Sequence, residues 1–191
     1  AMNTQEIETA AALAFNAGNA AYKNSEWAQA LALATQALAH HDGLIPAWLM
    51  KARCLVQLGQ WMPAREAFAQ TLRLDPTNYS AWLEAGHLCK QMGELGQASA
   101  AYQHAINAVP TRHEAYLAMA RVMAQQGHTE LANRAYNEAV QAATAKSIET
   151  VRHYRRGEPL LMLTGSPADY PVDIPWLFKP FLLQRMPTML F

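Results

Sequence analysis

Residues 79–112 read YSAWLEAGHLCKQMGELGQASAAYQHAINAVPTR, and this stretch decides the fold. It holds two segments of apolar periodicity, each about 14 residues long, which is a helical length. Gly93 ends the first segment, because glycine adopts a left-handed backbone at little cost. Pro110 stops the second, because proline disfavours helical geometry in the residue before it. The stretch therefore predicts two helices joined by a tight turn.

The same spacing recurs along the chain. Trp48 and Trp82 are 34 residues apart, and Tyr116 follows after another 34. Further positions keep this step, namely Pro76 and Pro110; Gly59, Gly93 and Gly127; Ala64, Ala98 and Ala132; Phe68, Tyr102 and Tyr136. Agreement of several independent positions on one period indicates an internal repeat, whose copies must stack to bury their apolar faces.

This pattern resembles the tetratricopeptide repeat, which carries an aromatic residue, a small residue four positions later, then an alanine, a second aromatic residue and a proline. The third copy matches best, with Trp82, Gly86, Gly93, Ala98, Tyr102, Ala105 and Pro110. The resemblance covers four repeats, at about 11–44, 45–78, 79–112 and 113–146. It implies an all-α fold, a right-handed α-solenoid of antiparallel helix pairs over residues 2–156. Thr144 replaces the last proline, so the final helix is predicted to continue.

Composition excludes several classes of function. Fifteen Lys and Arg balance fifteen Asp and Glu, so no net charge favours nucleic acid or a membrane surface. No apolar run reaches the roughly 18 residues of a membrane span, and residues 2–10 do not resemble a signal peptide. Cys54 and Cys89 lie in apolar helical stretches and are predicted to be buried thiols. A cytoplasmic location is the expectation, since nothing indicates a disulfide framework.

The sequence shows no constellation typical of catalysis. The seven histidines and two cysteines lack the spacing of zinc ligands, and no glycine-rich phosphate loop or nucleophile elbow occurs. We therefore predict no catalytic residue, no metal and no cofactor, and expect that this chain is not an enzyme.

The tetratricopeptide resemblance implies that the first helix of each repeat lines a concave groove that binds a protein or peptide. Carried over by register, the predicted groove residues are Phe15, Asn19, Tyr22, Lys23, Leu49, Arg53, Gln57, Leu83, His87, Lys90, Leu117 and Arg121. One set forms an apolar stripe of Phe15, Leu49, Leu83 and Leu117. A second, mostly basic stripe consists of Asn19, Arg53, His87 and Arg121, flanked by Lys23 and Lys90. The two stripes together suit a partner with apolar and acidic residues. Alternatively, the leucines pack against neighbouring repeats and the basic residues are merely solvated.

Some members of the family grip the C-terminal carboxylate of chaperone tails with Lys and Asn residues at set positions. This sequence keeps Asn19 but has other residues at the remaining positions, namely Phe15, Met50, Ser80 and Glu84. A clamp of that kind is therefore not expected here.

The tail at 157–191 differs from the repeats, because it contains six prolines among many large apolar residues. It is predicted to be an irregular cap on the solenoid or the start of a truncated second domain, and residues 170–191 could mediate self-association. Two functions stay open at this point. The chain is a scaffold or adaptor, or it is the N-terminal docking or regulatory arm of a larger enzyme such as a glycosyltransferase or sulfotransferase. The second rests on family analogy.

Overall fold

A computed structural model describes residues 3–155, which form eight helices joined by short turns, with no strand in that range. The helices are α1 (Thr4–Lys23), α2 (Trp27–His40), α3 (Ile45–Gln57), α4 (Trp61–Leu74), α5 (Tyr79–Gln91), α6 (Leu95–Ala108), α7 (His113–Gln125) and α8 (Thr129–Arg155). The all-α fold class is confirmed, and α8 continues past Thr144 as expected.

The chain divides into two units, residues 1–147 and 148–191, and the first contains α1 to α7 and the first part of α8. The predicted boundary at 156 stays a prediction. The cap, second domain or self-associating segment expected at 157–191 lies outside the described residues.

Consecutive helices from α1 to α7 pack against each other, and the short links make neighbours antiparallel. The first helices of successive repeats also meet, since α1 contacts α3 and α5 contacts α7. Each repeat thus buries its apolar surface against the next one, which is how solenoids gain stability. The same stacking brings the odd-numbered helices, which carry the predicted groove residues, side by side.

The turns between paired helices use a left-handed residue. Gly59, Gly93 and Gly127 lie two residues past the last residues of α3, α5 and α7 and have φ of 71°, 79° and 82°. The corresponding residue after α1 is Ser25, with φ of 63°. A side chain makes this conformation unfavourable, so the first repeat carries backbone strain that the other three avoid.

In the second, third and fourth repeats, the repeated aromatic residue anchors the first helix to the turn before it. The indole N–H of Trp48 donates to the carbonyl of Asp42 at 2.7 Å, and that of Trp82 donates to Pro76 at 2.8 Å. The hydroxyl of Tyr116 makes the equivalent bond to the carbonyl of Pro110 at 3.2 Å. In every case the acceptor lies six residues earlier, so this bond fixes where the first helix begins.

Small residues allow the two helices of a repeat to approach closely. Ala30, Ala64 and Ala98 on the second helices are fully buried. The contact is tightest in the third repeat, where a Cβ added at Gly86 would lie 2.4 Å from Cε1 of Tyr102. Tyr102 is itself fully buried, so its ring has no room to withdraw.

We predict that Gly86→Ala lowers the free energy of unfolding by about 1–3 kcal/mol, because the added methyl overpacks the contact with Tyr102. Gly96→Ala is the control, since a Cβ there meets nothing within 4 Å. The control should be neutral or slightly stabilising, as alanine favours helix. Urea unfolding of both variants makes the comparison, and equal stabilities would contradict the close contact.

Relief of strain at Ser25 is expected to stabilise the protein. Ser25→Gly removes a left-handed cost of about 1–2 kcal/mol, partly offset by the chain entropy of glycine, for a net gain of about 0.5–1 kcal/mol. The reverse change Gly93→Ser should lose a similar amount through the backbone alone, because its Cβ would meet nothing within 4 Å. Denaturant midpoints that move the other way in either variant would refute this account.

Candidate functional site

A cavity of about 180 Å³ opens among the first helices of three successive repeats. Four predicted groove residues line it, namely Tyr22 of α1, Arg53 and Gln57 of α3, and His87 of α5. The other lining residues are Val56, Phe68, Glu84, Leu88 and Gln91. The structure therefore places part of the predicted groove around a single cavity.

Arg53 and Glu84 form an ion pair within this cavity. Nε of Arg53 donates to the two carboxylate oxygens of Glu84 at 2.8 and 3.0 Å, and Nη2 donates to Oε1 as well. The hydrogen bond to Glu84 raises the pKa of Arg53. The pair joins α3 to α5, hence the second repeat to the third. Arg53 was predicted as a cation available to a partner, whereas the structure shows its charge paired within the protein.

The imidazole of His87 forms a hydrogen bond with a buried tyrosine. Nδ1 of His87 lies 2.8 Å from the hydroxyl of Tyr102. Burial raises the pKa of Tyr102 to about 12, so its hydroxyl keeps its proton. Within residues 3–155 that hydroxyl makes no other hydrogen bond. A buried O–H group needs an acceptor, and therefore we assign Nδ1 of His87 as the acceptor and Nε2 as the protonated nitrogen.

Two further predicted basic residues, Lys90 and Arg121, act electrostatically on His87. Burial lowers the pKa of His87, and the positive charges of Lys90 and Arg121 lower it further, whereas Glu84 opposes them. Lys90 and Arg121 form no ion pair in the part of the chain that the structure describes. These two side chains, from α5 and α7, are thus cations that a bound group can reach.

The predicted apolar stripe is partly used for packing. Leu49 and Leu83 are half-buried against the cores of the second and third repeats, and Phe15 packs on the first. Leu117 is half-buried as well, whereas Lys23 is exposed and Asn19 half-buried. None of these six residues lines the cavity. The packing expected under the alternative hypothesis is therefore present for these apolar residues.

Sequence profiles of the tetratricopeptide repeat match residues 21–71 and 79–111. Over residues 21–111 the chain is a tetratricopeptide repeat protein. The tetratricopeptide fold is typically a non-catalytic protein-interaction module. No curated protein matches the sequence.

Solved structures share the tetratricopeptide fold at low identity. A crystal structure of MamA has a TM-score of 0.69 at 16% identity and covers 72% of this chain and 80% of its own. The Arabidopsis OM64 tetratricopeptide domain gives 0.60 at 23%, covering 62% and 98%. The first tetratricopeptide domain of Spaghetti (RPAP3), bound to the HSP90 peptide SRMEEVD, gives 0.61 at 15%, covering 63% and 95%.

Of the five other lining residues of this tetratricopeptide module, Val56 and Gln91 lie at groove positions that register indicates, whereas Phe68, Glu84 and Leu88 were not predicted. Phe68 and Leu88 face the core, and their buried side chains close the base of the cavity. A signal for Glu84 was present, because it lies three residues before His87, the position that matches Arg53 one repeat later. An acidic residue one helical turn before the matching position can meet a base across the repeat interface.

Cys54 is fully buried, and burial raises its pKa to about 11, which keeps the thiol protonated. No cluster of three or more His, Cys, Asp or Glu side chains within residues 3–155 is arranged to hold a metal ion. No helix in that range has both the length and the apolar character that a membrane span requires.

His87 is expected to make stability depend on pH. Its folded pKa lies below the ordinary value of 6.5, so the unfolded chain binds the proton more tightly. The stability that neutral His87 contributes is complete above pH 6.5 and is lost as the pH falls through the lowered pKa. The free energy of unfolding should therefore fall less between about pH 7.5 and about pH 5 in His87→Gln than in the parent protein. An equal fall in both would contradict the lowered pKa, which histidine Cε1–H shifts can follow directly.

Proposed function

We propose that this tetratricopeptide module acts as a scaffold or adaptor that binds an extended peptide segment of a partner protein along α1, α3, α5 and α7. The observation that supports the proposal is the cavity shared by α1, α3 and α5, which is lined by both apolar and polar side chains. Because three repeats contribute to it, an extended chain that crosses the repeats can contact all of them.

The cavity suits one apolar side chain. Its base consists of Val56, Phe68 and Leu88. Its volume of about 180 Å³ is below the roughly 300–1,000 Å³ of sites for small molecules and cofactors. A peptide that places one leucine-sized side chain here would gain affinity by removing that side chain and the base of the cavity from water.

Carboxylates of the partner are expected near α5 and α7. Lys90 and Arg121 are cations without an ion-pair partner among residues 3–155, and the positive charge of each lowers the pKa of His87. Nε2–H of His87 adds a neutral hydrogen-bond donor. Arg can bind a carboxylate through two parallel hydrogen bonds, which gives direction as well as affinity.

A protein of similar fold supports peptide binding in general. The first tetratricopeptide domain of RPAP3 is seen with an HSP90 peptide, SRMEEVD. The present chain has Phe15, Met50, Ser80 and Glu84 at positions where chaperone-tail clamps carry Lys and Asn. We therefore propose a different peptide, one with an apolar anchor for the cavity and an acidic residue for Lys90 and Arg121.

The test is selection of a random peptide library displayed on phage against the full 191-residue chain. The most enriched sequence is synthesised, and its dissociation constant is measured by titration calorimetry. In the double variant Lys90→Gln, Arg121→Gln we expect affinity about 3- to 10-fold weaker, because partly exposed ion pairs each contribute modestly.

The control removes two positive charges elsewhere. Arg73 and Arg134 are exposed on the second helices α4 and α8, and the double variant Arg73→Gln, Arg134→Gln should bind the peptide as the parent protein does. Melting temperatures of both double variants should stay near the parental value, because none of the four side chains is buried or ion-paired among residues 3–155 and such surface substitutions usually cost within about 0.5 kcal/mol. Equal losses of affinity in both would mean that net charge, rather than this site, attracts the peptide.

A further inference from the structure

The ion pair in the cavity has the geometry with which arginine binds a ligand carboxylate. Nε of Arg53 lies 2.8 and 3.0 Å from the two oxygens of Glu84, and Nη2 bonds the same group. One edge of the guanidinium is thus occupied by a carboxylate of the protein itself. Arginine side chains use this same edge to bind carboxylates bidentately in recognition sites.

The ion pair is partly buried but is still accessible from the cavity. The side chains of Arg53 and Glu84 are 35% and 27% exposed, and both line the cavity. Each residue is on a different repeat, held by the packing of α3 and α5. A ligand carboxylate that approached Arg53 would have to displace Glu84 or lie beside it, which brings two negative charges together in a small space.

We propose that Glu84 is a specificity-determining residue, which occupies the carboxylate site on Arg53 and thereby excludes an acidic group of the partner from this part of the groove. The inference rests on the proposed function, since it concerns the same peptide. Acidic groups of the partner are directed to Lys90 and Arg121, and the side chain that enters the cavity is neutral. The partner is therefore a peptide in which the apolar anchor and the carboxylate occupy separate positions, without a second carboxylate facing α3.

The experiment compares two peptide selections. The random phage library is selected in parallel against the full-length parent protein and against Glu84→Ala, which frees Arg53. The variant should enrich peptides that carry one more Asp or Glu than those of the parent. The most enriched peptide from the Glu84→Ala selection should bind Glu84→Ala about 10- to 100-fold more tightly than it binds the parent, because a charged hydrogen-bonded pair is gained.

A matched control comes from a second ion pair of the protein. Arg65 and Glu94 pair with similar exposure, at 33% and 30%, and neither lines the cavity. Glu94→Ala also removes a paired carboxylate, yet it should enrich the same peptides as the parent. A purely structural role of Glu84 predicts weaker binding on removal, whereas the proposed role predicts a gain for more acidic peptides, which loss of stability cannot produce.

The outcomes separate the two proposals. If parent and Glu84→Ala enrich peptides with the same number of carboxylates, the role of Glu84 is refuted, while groove binding stands. If the parent protein enriches no peptide whose binding depends on Lys90 and Arg121, the proposed function fails and this inference with it. A gain for acidic peptides in Glu94→Ala as large as that in Glu84→Ala would also refute the assignment, because it would reflect net charge alone.

Discussion

The close approach of the two helices in each repeat is the constraint on which the rest of the structure depends. At Gly86 the backbone of α5 lies against the ring of Tyr102, with no room for even a methyl group. Ala52 and Ala120 take the same position in the second and fourth repeats and are fully buried. A side chain from the second helix can therefore reach past the first. The hydroxyl of Tyr102 does so and bonds His87 in the groove, so one contact both packs the repeat and orients a groove residue.

A second constraint keeps the repeats in register. Trp48, Trp82 and Tyr116 each bond a carbonyl six residues earlier, which fixes the beginning of α3, α5 and α7 in the same way. Positions 34 residues apart consequently occupy equivalent places on neighbouring helices. Residues one turn from such a position can meet across the repeat boundary, as Arg53 and Glu84 do. The bonds that fix the helix starts therefore also help to position the residues of α3 and α5 that line the cavity.

This arrangement makes the groove electrostatically uneven in a protein with no net charge. The charge of Arg53 is matched by Glu84 near the cavity, whereas Lys90 and Arg121 act on His87 without a paired carboxylate within the described residues. Under the proposed function, a site with a neutral, apolar pocket and cations beside it would distinguish peptides by the order of their side chains. Because one scaffold can host many different functions, we propose that such local differences in charge carry the specificity.

The sequence by itself determined the helices, their period and their turns, because glycine, proline and small residues at a spacing of 34 act through local geometry and through contacts repeated in every copy. It also predicted Tyr22, Arg53, Gln57 and His87 as groove residues, and these four side chains line the cavity. Only the tertiary structure decided which of those side chains already have a partner within the protein. The pairing of Arg53 with Glu84, the hydroxyl of Tyr102 beneath His87 and the packing of Leu49 and Leu83 depend on distances between repeats. Those distances follow from how side chains fill the space between helices, which periodicity alone does not specify.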